Sequence, residues 1–164
     1  MITFSLPTAL LTVGILAAPP AYRTYHNERF GYRIDYPTTL TPQPEAGNGD
    51  GRRFVSADGH TVLTVYAAFN VYEASDGDAL TQDWQLAQNT WQQRGATFSL
   101  SRKLPTGYVL SGQVHGHIFY EKAVLRANTF TTFSWEYPSA RKAVMDAVIQ
   151  HTLCTLQPSV AGSN

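Results

Sequence analysis

The side chains best equipped for chemistry crowd into one stretch of the chain, Asn48 to Phe69, NGDGRRFVSADGHTVLTVYAAF. Asn48, Asp50, Arg52, Arg53 and Asp58 bring an amide, two carboxylates and two guanidinium groups close together in sequence. Oxygen ligands at short spacing suggest a hard cation such as calcium. Placing Gly51 at the sixth position of an EF-hand loop makes Ala46 the first ligand and Ala57 the twelfth, and neither side chain coordinates a metal. A looser oxygen site built from Asn48, Asp50 and Asp58 stays compatible with the sequence. Asn, Asp and Gly are also the residues that turns use, because they tolerate positive φ and bond to their own backbone. The expectation is therefore a turn-rich loop whose polar groups serve recognition.

Glu121 and Lys122 are the second candidates, since they interrupt the apolar run HIFYEKAVLR. An unpaired charge there would cost on the order of several kcal/mol, so at least one of them needs a partner. Arg52 or Arg53 is the expected partner of Glu121, either as a structural ion pair or as part of a binding surface. His115 and His117 would share a face on a continuous strand and could bind metal there, but Gly116 between them marks a hairpin tip. Ser111, in VLSG, lacks the first glycine of a nucleophile elbow. The single cysteine, Cys154, excludes an intramolecular disulfide and a thiolate zinc cluster, and is expected as a half-buried, inert thiol. No motif carries a mechanism, so no catalytic residue, metal ligand or cofactor is assigned. A small-ligand carrier or hydrolase with a site near Glu121 and the Asn48–Arg53 loop is the alternative.

The elements that position these groups follow from hydrophobic periodicity. Phe30 to Tyr36 alternates as a half-buried strand, with Pro37 ending it. Thr38 to Gly51 reads as a loop. Arg52 to Ser56 and Thr61 to Phe69 form a hairpin across Ala57-Asp58-Gly59-His60. Leu80, Trp84, Ala87 and Trp91 share one helical face, which predicts a helix over Ala79 to Arg94 with Asp78 as N-cap and Gly95 as its stop. A meander follows: Phe98 to Arg102, Tyr108 to Val114, His117 to Arg126 and Thr129 to Tyr137. The third of these strands is apolar on both faces, which predicts a central strand covered on both sides. Ala140 to Leu156 is a second amphipathic helix, with Val144, Met145, Val148, Ile149 and Leu156 on its apolar side.

With 164 residues, 43% of them hydrophobic, the chain has room for one domain, expected over residues 22–157 with a loose tail at 158–164. Twelve Lys and Arg balance twelve Asp and Glu, which disfavours nucleic acid as a partner, because phosphate-backbone binding rests on excess positive charge. Residues 1–21 contain an apolar run ending in small residues, the pattern of a secretory signal, with an N-terminal apolar anchor as the second reading. The expected compartment is periplasmic or extracellular, and the mature form is expected to lack an integral membrane span.

FGYRIDYP, the hairpin, one helix, a four-strand meander carrying GYVLSG and IFYEK, a second Tyr-Pro and a closing helix follow one another in that order. Over residues 28–156 this succession resembles the PsbP and Mog superfamily, including the DcrB-like bacterial envelope proteins. The resemblance implies an α+β fold: an antiparallel sheet of six to seven strands with two main helices packed on it as an α/β/α sandwich. It also implies a non-catalytic binding or accessory role toward another protein or peptide at the cell envelope. The partner-binding residues expected on that reading are Asn48, Asp50, Arg52, Arg53, Asp58, Glu121 and Lys122.

Overall fold

A computed structural model describes residues 20–159. The strands are β1 Tyr22–His26, β2 Arg33–Pro37, β3 Leu40–Pro42, β4 Gly51–Ser56, β5 Val62–Phe69, β6 Thr97–Leu104, β7 Gly107–Val114, β8 His117–Arg126 and β9 Thr129–Pro138. The helices are α1 Asp76–Gln93 and α2 Lys142–Thr155, with a short 3₁₀ turn at Ser139–Arg141 before α2. Seven strands form one antiparallel sheet in the order β3-β4-β5-β9-β8-β7-β6, and β1 and β2 pair separately. The fold is α+β, two helices packed on a seven-stranded antiparallel sheet, as expected.

Strand alternation decides which face each side chain joins. Phe119, Glu121, Ala123 and Leu125 of β8 point toward α1, where Trp91, Tyr108 and Leu110 pack with Phe119 and Ala123. Ile118, Tyr120, Lys122 and Val124 point to the other face. There Met145, Val148 and Ile149 of α2 join Phe54, Leu63, Val65, Phe133 and Trp135, together with Tyr25, Tyr32, Ile34 and Tyr36. Helix α1 lies against β6 and β7, whereas α2 lies against β2 and β9. Helix α1 therefore covers one end of the sheet on one face, while the β1–β2 pair with α2 behind it covers the other end on the opposite face.

Several expectations need correction. The strand expected at Phe30 begins instead at Arg33, because Gly31 turns the chain at φ +68° and Asn27 binds the Phe30 amide. Pro37 does end the strand as expected, as its last residue, paired with Tyr22. The expected loop at 38–51 contains β3. Helix α1 starts three residues early, on Ser75: its hydroxyl accepts the Asp78 amide at 3.3 Å and donates to the Asp78 carboxylate at 2.7 Å. Asp78 is thus the third residue of the helix, bonded through both its amide and its carboxylate to the Ser75 hydroxyl, and not the cap. Gly95 does stop the helix, at φ +81°, with its own amide on Gln92 O and that of Ala96 on Trp91 O. Strand β8 is central as expected, fully covered on the α1 side and half-covered on the other, where Ile118 and Tyr120 pack against the core closed by α2. Val144 is 63% exposed, and Cys154 is exposed rather than half-buried. Gln157, the last residue of the expected domain, exchanges backbone hydrogen bonds with Arg33, and Ser159, in the segment expected to be loose, is buried against Thr131. Residues 1–19, most of the expected signal or anchor, and 160–164 lie outside the described residues.

Candidate functional site

The polar loop before β4 is held from below. Asn27, fully buried, donates its amide to Gly49 O at 2.9 Å and to the Tyr25 hydroxyl at 3.0 Å. The Tyr32 hydroxyl donates to Asp50 O at 3.1 Å. Within the loop, the Asn48 side chain donates to the Asp50 carboxylate at 2.6 Å, so these two groups serve the turn first. Arg52 and Arg53, adjacent on a strand, point to opposite faces. Arg52 turns inward: its Nε donates to Gln43 O at 2.8 Å and its guanidinium lies 5.7 Å from the centre of the Tyr25 ring. Arg53 is exposed on the α1 side, with no ion pair among the described residues. Gly51 is required here, because a Cβ would fall 2.2 Å from Val65 O on the neighbouring strand. Between the loop, β4 and β5 lies an open pocket of about 440 Å³, walled by Arg53, Thr64 and Tyr66.

Tyr66 and Thr64 also line a second cavity, of about 300 Å³, under the flank of α1. Its depth holds two carboxyl groups on one phenol. The Tyr108 hydroxyl lies 3.1 Å from Asp83 Oδ2 and 3.4 Å from Glu121 Oε1, and Trp91 Nε1 donates to Glu121 Oε2 at 3.0 Å. The Glu121 pKa is raised from 4.5 to about 7, chiefly by burial and also by the nearby Asp83, against the pull of the Trp91 and Tyr108 hydrogen bonds. Burial also raises Asp83, against the hydrogen bonds from Tyr108 and Tyr72. Tyr66 and Tyr108 are both pushed up, first by burial and then by the charge of Glu121. A single phenol proton satisfies only one carboxylate. With Glu121 protonated, a continuous chain forms in which Glu121 donates to Tyr108 and Tyr108 donates to Asp83. Arg94 closes the mouth, bidentate on Glu136 at 3.1 and 2.6 Å and stacked 4.4 Å from the Trp91 ring.

The expected site residues thus divide. Asn48, Asp50, Arg52 and Arg53 converge around one loop. Asp58 sits at the far end of β4, accepting from the Ser56 hydroxyl and the His60 amide; those two hydrogen bonds hold its carboxyl below the usual range. Glu121 does not meet either arginine, contrary to expectation. Arg52 faces the other side of the sheet, and Arg53 is three strands away, roughly 14 Å at the usual strand spacing. Its partners are Trp91 and Tyr108. Lys122 faces away from Glu121 altogether. His115 and His117 flank a hairpin tip as expected, His115 at φ +48°, and the His117 ring lies 6.1 Å from that of His60. Among the described residues no group of three or more metal-ligating side chains converges.

The residues missed from sequence are Tyr66, Asp83, Trp91, Arg94, Tyr108 and Glu136. One signal was present: Asp83 lies three after Leu80 and four before Ala87, on the helical face that faces the sheet. Nothing local marks Tyr66 or Tyr108, which reach the cleft only through strand register.

No family model matches the sequence, and no curated protein matches it. Among solved structures the fold is similar to the solution structure of cyanobacterial PsbP (CyanoP) from Synechocystis sp. PCC 6803. The TM-score is 0.61 over 91% of this chain and 98% of that one, at 13% identity. That likeness shows a PsbP-like fold.

Proposed function

We propose that this chain is an exported, non-catalytic accessory protein that engages a partner protein or peptide at the cell envelope, in the manner implied by its resemblance to DcrB-like envelope proteins. A PsbP-like fold fits an accessory, non-catalytic protein in general. Export rests on the apolar run within residues 1–21, and among the described residues no helix is long and apolar enough to cross a membrane.

One observation carries the binding reading. Helix α1 packs on β9 through Phe130 but leaves much of β4 and β5 open on its side of the sheet, and an anchored loop sets Arg53 beside Tyr66, 39% exposed, on that open part. An arginine and a tyrosine on a rigid base are the side chains that most often anchor a protein interface. Asn48, Asp50 and Arg52 shape the loop behind them; Glu121 lines the adjoining cleft. The test is affinity capture from envelope fractions with tagged wild type and the double variant Arg53→Glu, Tyr66→Ala. A protein retained by wild type and lost from an equally stable variant supports the reading; identical capture by both contradicts it. N-terminal sequencing of the mature form checks export, with a start close to Ala21 expected.

A second reading, a small-ligand carrier, is favoured by the convergence of Asp83, Glu121 and three aromatic rings on the cavity of about 300 Å³. A small molecule retained through native purification by wild type, and not by Asp83→Asn, would support it.

A further inference from the structure

We infer that the bare half of the sheet on the α2 side, formed by β6, β7 and β8, binds an extended acidic segment of a partner protein. This surface lies on the opposite side of the sheet from Arg53 and Tyr66 and stands independently of them.

Strand register assembles it. Arg102 pairs with Val109 and Val109 with Lys122, so the two cations lie in one row, two strands or roughly 10 Å apart. Arg126 follows on the same face of β8, four residues beyond Lys122. None of the four ion pairs among the described residues uses any of these three cations. No acidic residue of β6, β7 or β8 points to this face, since Glu121 is turned under α1. The single carboxylate on the adjoining flank of α2, Asp146, is held by Lys142 at 2.7 Å. The face is therefore positively charged in a chain whose formal net charge is zero.

Beside the cations the surface is concave and mixed in polarity. Leu100, 43% exposed, lies on this face. Ile118, Tyr120, Ile149 and Leu153, with polar groups such as Ser111 and Gln150, line a groove of about 650 Å³ between α2 and the sheet. Strand β6 is the sheet edge, exposed over most of its length, with a bulge between Phe98 and Leu100 and regular pairing from Leu100 onward. The backbone groups of its outer edge are open to an added strand, whose alternate side chains would fall on the same face as Arg102. A second copy of this chain is disfavoured there, because Arg102 and Lys103 would meet like charges edge to edge. A concave groove bounded by a helix suits a chain better than the plane of a membrane. Charge complementarity thus selects acidic groups, and the apolar side chains of the groove select apolar residues among them.

The test uses fluorescein-labelled peptides of alternating glutamate and leucine, their lysine and leucine counterparts, and vesicles of phosphatidylglycerol and phosphatidylcholine in equal parts. Wild type is expected to bind the glutamate peptide in preference to the lysine peptide, more weakly as salt is added. Arg102→Glu with Lys122→Glu should weaken that binding about tenfold or more and gain binding to the lysine peptide. Arg53→Glu should leave it unchanged. If the double reversal lowers the melting temperature, Arg102→Gln, at an exposed edge position, replaces it and must still weaken glutamate-peptide binding. Equal binding of both peptides, or binding indifferent to these substitutions, overturns the inference. Vesicle binding that depends on Arg102 and Lys122, without peptide binding, overturns it in favour of a membrane surface.

Discussion

Glu121 was legible as an anomaly in the sequence, a charge inside an apolar strand, but its partner was not. Which face an arginine joins depends on a one-residue parity, and which strands are neighbours depends on the order of the whole sheet. The indole of Trp91 and the phenol of Tyr108 supply hydrogen bonds without supplying charge, so Glu121 stays largely protonated through the acidic range. Its folded pKa of about 7 exceeds the ordinary 4.5, so the unfolded chain ionises first. The stability contributed by this group is therefore complete below the ordinary carboxyl range and is lost as pH rises toward 7, by on the order of 3 kcal/mol. Glu121→Gln should remove that loss. Its melting temperature, measured against wild type from about pH 4 to about pH 8, should gain with rising pH; a constant difference would show that folding leaves the titration of Glu121 unshifted. Arg52 and Arg53 give the second contrast. Arg52→Ala should cost roughly 1 kcal/mol through the lost bond to Gln43 and the Tyr25 contact, whereas Arg53→Ala should leave denaturant stability unchanged. Equal effects would mean that the two side chains are not on opposite faces.

At the scale of elements, periodicity found both helices, the β4–β5 hairpin and the four-strand meander. It missed β1 and β3 because neither is long or alternating enough to declare itself. β1 buries only Tyr25, and β3 is three residues ending in a proline. The helix start was misplaced by three residues because Ser75 and Asp78 are both good caps, and only the pair of hydrogen bonds on the Ser75 hydroxyl distinguishes them. Ser75→Ala should destabilise the protein by about 1 kcal/mol, and Asp78→Ala should cost less. Chemical denaturation of the two variants checks this; the reverse order would restore Asp78 as the cap. Val144 was assigned to the buried side of α2 from its hydrophobicity alone, yet that helix covers only part of the sheet, and its exposed flank tolerates an apolar residue.

Over the whole molecule, the governing feature is that two helices cover a seven-stranded sheet incompletely, each on its own side. The general architecture was readable from the order of elements. The two open parts were not, because they depend on where along the sheet each helix lands. One open part presents Arg53 and Tyr66 beside a carboxyl-lined cleft, and the other presents Arg102 and Lys122 on the same face as a groove of mixed polarity. Binding at such surfaces needs no moving part, only a base rigid enough to hold the anchors in place. Backbone hydrogen exchange of the protein alone and in complex with its captured partner tests this most directly. New protection is predicted at Gly51 to Arg53 and at Thr64 to Tyr66, on the half of the sheet that α1 leaves open. Protection confined to the solvent side of α1, with those strands unchanged, would contradict it.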